Sequence, residues 1–245
     1  MRILLALALV AACGKGKPTN QDPAPTGSAG SAGSAVARSG SGSAETPTAA
    51  PDVTLPASTG TPPNKAKALD AATLKKLMEM TFPGWTNKPM ELTEKALIVR
   101  QVTATAPKLS VTVFARACAV DPTACLPMDP EKWKADAKFN DTLLGKLKGA
   151  PDTVFEVGAT DLNGQQLVTS YVLGQSFQTD TSGNSPGTYK YAYGLHYNDG
   201  TNMIQVIAGY ADMPLKTKEA MVQAIPRGDL EKAARAFLDA YTHAW

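Results

Sequence analysis

The sequence predicts an α+β fold: an antiparallel sheet of about six strands with helices packed on it, preceded by a disordered linker. Three observations predict it. Three pairs of alternating, β-branched runs are each joined by a short turn, and short connections join antiparallel neighbours. Segments with helical spacing of apolar residues precede, separate and follow these pairs. All sixteen aromatic residues lie at or after Phe82, whereas 39 of the 51 residues from Gly14 to Asn64 are Gly, Ser, Ala, Thr or Pro. A segment so poor in large apolar side chains cannot offset the entropy of ordering its backbone.

Ala66 to Met80 reads as the first helix, with Leu69, Leu77 and Met80 on one face and Lys75, Lys76 and Glu79 outside; Pro83 and Gly84 break it. Leu97–Thr105 and Leu109–Cys118 form the first predicted hairpin. Asp129 and Pro130 supply a cap and a first-turn proline for a helix to about Lys148, ended by Gly149. Val154–Leu162 and Gln165–Gly174 flank Asn163-Gly164, a turn whose two central residues need positive φ. The Gly174–Thr188 loop, rich in Ser, Thr and Gly, is expected to be mobile. Tyr189–Tyr197 and Met203–Tyr210 flank Asp199-Gly200. Thr217–Ile225 reads as helical, and Asp229 is expected to cap a last helix carrying Leu230, Ala234, Phe237, Leu238 and Tyr241.

The 245 residues carry 24 Lys+Arg against 22 Asp+Glu, a net +2 that lacks the concentrated basic field of a nucleic-acid binder. Only His196 and His243 occur, which removes most zinc sites and most histidine-based catalysis. No metal or cofactor is expected. There is no G-x-S-x-G, no H-E-x-x-H and no phosphate-binding glycine loop. Acidic residues such as Glu91, Glu94, Glu156 and Asp161 are scattered.

Ile3 to Ala12 is an uninterrupted apolar run behind Arg2. Ten helical residues span about 15 Å, half of a hydrocarbon core, so the run suits a secretory signal rather than a membrane span. It ends in Val10-Ala11-Ala12-Cys13-Gly14, which resembles the lipobox of bacterial lipoproteins. The resemblance implies cleavage before Cys13 and acylation of its thiol and new amino terminus; two or more acyl chains anchor a protein stably. The expected organisation is a signal peptide over 1–12, a lipid-anchored linker over 13–64 and a single globular domain over 65–245. Flexible-chain scaling gives the linker a reach of about 40 Å. The implied location is a bacterial cell envelope, with the domain periplasmic or at the surface. Gly14, rather than aspartate, follows the cysteine, which by analogy with enteric sorting favours the outer membrane.

In an oxidising compartment Cys118 and Cys125 read first as a disulfide closing a short loop, with a redox pair and a metal site as the alternatives. Tyr189, Tyr191, Tyr193 and Tyr197 share one parity of a predicted strand, with Leu195 completing the row. They are a candidate binding surface; packing beneath the terminal helix is the preferred alternative. His196 lies on the opposite parity, where a surface or hydrogen-bonded role is expected.

The order of helix, hairpin, helix, strands and C-terminal helix, with Phe82-Pro83-Gly84-Trp85 after the first helix, resembles the α-β-α sandwich of the PsbP-like proteins. That resemblance implies binding or assembly rather than catalysis. The expected function is therefore a non-catalytic, membrane-anchored lipoprotein whose domain binds an envelope protein or small-molecule ligand. The alternative is an envelope hydrolase using carboxylates.

Overall fold

A computed structural model describes residues 53–63, 68–104, 108–136, 152–176, 188–210 and 217–244. The expected signal peptide, Cys13, residues 14–52 and 64 of the expected linker, residues 137–148 of the expected second helix and residues 177–187 of the expected Gly174–Thr188 loop lie outside the described residues, while the ends of that loop belong to strands. Within them, seven strands form one antiparallel sheet: β1 (Trp85–Leu92), β2 (Ala96–Thr103), β3 (Leu109–Ala117), β4 (Val154–Leu162), β5 (Gln165–Ser176), β6 (Thr188–Asn198) and β7 (Asn202–Tyr210). Four α-helices accompany it: α1 (Ala71–Met78), α2 (Pro130–Ala135), α3 (Lys218–Ala224) and α4 (Arg227–Thr242). The strand order is β1-β2-β3-β7-β6-β5-β4. Two meanders thus meet at β3 and β7, and the chain leaves the sheet centre after β3 to re-enter at the far edge as β4.

The sheet has one strand more than expected. β1 contains Pro89, which interrupts a strand pattern in the sequence, yet an edge strand tolerates proline because its outward N–H pairs with nothing. The register shifts between Pro89 and Glu91 as a bulge. Proline, the neighbouring Lys88 and the bulge are all devices that keep an edge from recruiting another strand.

The helix ends also differ from the sequence reading. α1 begins only after Asp70, whose carboxylate accepts the Thr73 N–H at 2.8 Å. Leu69 lies before the helix, held by its N–H to Asn202 Oδ1 at 2.8 Å, and Leu74, Leu77 and Met78 are the buried helical residues. α4 starts at Arg227 with Pro226 as N-cap, not at Asp229. The backbone of Pro226, fixed near φ −58°, is already poised to enter the helix. Asp229 instead sits in the first turn, where a negative charge meets the positive helix end.

One sheet face is buried under α1, α3 and α4. Leu97, Val99, Val111, Val113, Leu195, Ile204 and Val206 meet Leu230, Ala233, Ala234, Phe237, Leu238 and Tyr241 of α4. Phe237 is the centre of an aromatic group, with ring centroids 4.8 Å from Phe82 and 4.7 Å from Trp85, both edge-on. Edge-to-face pairs of this kind add about 0.5–1.5 kcal/mol beyond area burial.

Residues 53–63, which composition assigns to the linker, lie against this domain as a strap. Val53 and Leu55 pack on the main core, and Trp85 Nε1 donates to the Thr54 carbonyl at 2.7 Å. Thr59 donates its N–H to Asp239 Oδ2 at 2.6 Å and its hydroxyl to Oδ1 at 3.0 Å.

Candidate functional site

Hydrogen-bonded register fixes what stands on the second sheet face. One row across all seven strands runs Lys88, Arg100, Thr112, Ile207, Gly194, Ser170, ending at Val157 of β4. The next runs Glu91, Ile98, Phe114, Gln205, His196, Val168. α2 covers the β4–β5 half: its Trp133 is buried with Val168, and Leu126, Met128, Phe155, Val157 and Ile207 pack around them. The chain reaches that position from β3 through the Cys118–Cys125 loop, where the disulfide is formed. Asn198 Nδ2 pins the loop by donating to the Leu126 carbonyl at 2.8 Å.

On the β1–β3 half, Ile98, Arg100, Thr112, Phe114 and Arg116 are half-buried. Arg100 Nε donates to Thr112 Oγ1 at 3.3 Å, and Arg116 pairs with Asp121 at 3.0 Å. Lys88 and Arg100 stand directly opposite across β1 and β2. Like charges in that position oppose pairing, so a ligand that neutralises them has an electrostatic incentive to bind. Met90 and Leu92 on the same edge strand are 56% and 44% exposed. The result is a flank with the opposed cations Lys88 and Arg100, the Arg116–Asp121 pair, Ile98 and the Phe114 ring, with Met90 at the edge bulge; Leu92, opposite Leu97, has the parity of the covered face.

Of the two expected roles, surface or hydrogen-bonded, His196 takes the second, and it is buried. Its Nε2 lies 2.9 Å from Ser170 Oγ and its ring centroid 4.6 Å from that of Trp133. Burial strips the imidazolium of water and pushes the pKa down to about 3. A Ser–His contact invites comparison with a nucleophile and its base. Here the serine hydroxyl is buried and the imidazole is a poor proton acceptor at neutral pH, so the pair is a structural element under α2. Lys190, on the same parity of β6, is also held below the usual lysine range by burial.

The tyrosine row lies on the covered face. Tyr191, Tyr193 and Tyr197 are buried in the main core, so these three do not form an accessible aromatic platform. Tyr191 donates to the Ile225 carbonyl at 3.0 Å and Tyr197 to Asp199 at 3.1 Å. The polar tips are thus satisfied internally rather than at a solvent edge. Burial raises the pKa of all three. The backbone of Tyr189 belongs to β6, while its side chain lies outside the described residues.

The scattered carboxylates stay apart. Glu156 pairs with Arg227 at 2.8 Å, whose guanidinium lies 4.0 Å over the Tyr171 ring. Asp161 accepts the Gly164 N–H at 2.9 Å, Glu94 is exposed and Glu91 stands on the β1 edge. Among the described residues Asp239 is the only buried carboxylate, and no group of three His, Cys, Asp or Glu is placed to hold a metal ion. Also among them, no helix is long and apolar enough to cross a membrane.

Sequence reasoning missed Asp239. It lies half a turn around α4 from Leu230, a position that reads as solvent-facing. The strap and Asn163 of the β4–β5 turn cover it. Neither family models, nor curated proteins, nor solved structures match this chain.

Proposed function

We propose that this chain is a lipoprotein of a bacterial cell envelope, acylated at Cys13, whose α+β domain binds an envelope partner or ligand without catalysing a reaction. The anchor rests on the Val10-to-Gly14 lipobox behind an apolar run too short to span a bilayer. The likeness to PsbP-like proteins belongs to the same proposal and rests on element order.

The observation that carries the binding reading is the β1–β3 flank. Lys88 and Arg100 face each other beside the half-buried Ile98 and Phe114, with Met90 exposed at the edge bulge. Apolar residues beside cations suit a partner surface that offers both acidic and apolar groups. The separation of Glu91, Glu94, Glu156 and Asp161 favours binding over carboxylate hydrolysis.

Two measurements test the two halves. Metabolic labelling with a fatty-acid analogue in a bacterial host is expected to mark the wild type and not Cys13→Ser; an unlabelled wild type removes the anchor. Crosslinked capture from solubilised envelope is expected to fall at least fivefold in a Lys88→Glu/Arg100→Glu chain. Capture that does not change removes the flank as the binding surface.

A further inference from the structure

The strap over residues 53–63 occupies a bed with directional chemistry. At one end the Trp85 indole N–H meets the Thr54 carbonyl, above the edge-on Trp85–Phe237 pair. At the other, Asp239, 1% exposed, takes both the N–H and the hydroxyl of Thr59. Beyond it His243 Nε2 lies 2.8 Å from the Pro62 carbonyl and 3.1 Å from the Thr61 hydroxyl. The strap turns at Gly60, where φ is +67°, so a peptide bearing a threonine or serine followed by glycine can make each of its polar contacts with the bed. Hydrogen bonds to an ionised carboxylate are about twice as strong as neutral ones, so this residue type is selected.

The strap is also built to leave. Val53–Pro63 contains no helix or strand, and Thr54 and residues 57–62 are exposed. Segments with few buried contacts open at a free energy below that of the whole domain. Departure leaves Asp239 Oδ1 with Asn163 Nδ2 at 3.0 Å and His243 Nδ1 at 3.3 Å, and frees Oδ2, which the Thr59 N–H had occupied, for an incoming donor.

We propose that this bed is a peptide-binding site, filled in cis by residues 53–63, that accepts in trans a peptide segment presenting a hydroxyl-bearing residue, followed by glycine, to Asp239. The cis strap competes at the millimolar effective concentration typical of a short tether, so it masks the site in the intact chain. The site stands apart from the β1–β3 flank and does not depend on acylation of Cys13.

The test uses full-length protein and a fluorescein-labelled synthetic peptide with the sequence of residues 51–64, followed by fluorescence anisotropy. Thr59→Pro removes both donors from the cis strap. It is expected to bind the peptide at least tenfold more tightly than the wild type. Adding Asp239→Asn is expected to reverse that gain about tenfold, the scale of one charge-assisted hydrogen bond. A Thr59→Pro chain that is folded by circular dichroism and binds no more tightly than the wild type overturns the proposal, as does equal binding of a scrambled peptide. Should Thr59→Pro not fold, Thr59→Val, which removes only the hydroxyl, is expected to give a gain of about threefold, and no gain overturns the proposal.

Discussion

Acid should destabilise this domain through one buried ring. His196 is 1% exposed, and in the folded chain its pKa lies at about 3. In the unfolded chain an imidazole titrates near the ordinary 6.5. Between those values the unfolded state holds a proton that the folded state does not, so stability is full above about pH 6.5 and falls as pH drops towards 3. Linkage over pH 7.0 to 4.5 gives a loss of about 2.6 kcal/mol, and the fall approaches about 1.4 kcal/mol per pH unit in mid-window. His196→Gln keeps a hydrogen-bonding side chain toward Ser170 and removes the titration. Urea unfolding of both chains across this range isolates the ring, because the carboxylates common to both cancel in the difference. The wild type is expected to lose about 2.6 kcal/mol more than the variant. Parallel curves would refute the claim that His196 is held neutral beneath Trp133.

Two further outcomes follow from the packing. A Cβ at Gly194 would overlap Ser170 Oγ and stand 3.0 Å from His196 Nε2. Gly194→Ala is therefore expected to cost about 1–3 kcal/mol in thermal unfolding. Ser170→Ala in the same chain should recover part of that loss, and strictly additive losses would refute the steric account. Replacing Cys118 and Cys125 by serine opens an eight-residue loop, worth up to about 2.5 kcal/mol in chain entropy. The measured loss should fall below that figure, because Asn198 still holds the loop at Leu126; a loss well above it would assign the disulfide a role in positioning α2.

Much of the sheet was legible because its signals are local. Asn163 and Gly164 both adopt positive φ, as the hairpin turn demands, and Gly200 does so in the next hairpin. The alternation of β2 and β3, and the helical spacing of Leu230, Ala234, Phe237, Leu238 and Tyr241, each follow from a single element's periodicity. The disulfide was legible from the spacing of Cys118 and Cys125 taken with the expected oxidising compartment. β1 was not, since Pro89 masks an edge strand whose pairing is supplied entirely by β2.

What one segment dictates to itself, the amino-acid order determined: three hairpins, the helix-forming stretches, and the parity that sets His196 opposite the tyrosines. Tertiary structure decided between the readings that parity left open. Tyr191 and Tyr193 became core because α4 lies over them. His196 became buried because the chain crosses from β3 to the far edge and lays Trp133 on it. Asp239 became a buried acceptor because a segment 180 residues distant in sequence covers it. Periodicity states that a side chain has a partner face, but only the path of the whole chain supplies the group that stands there.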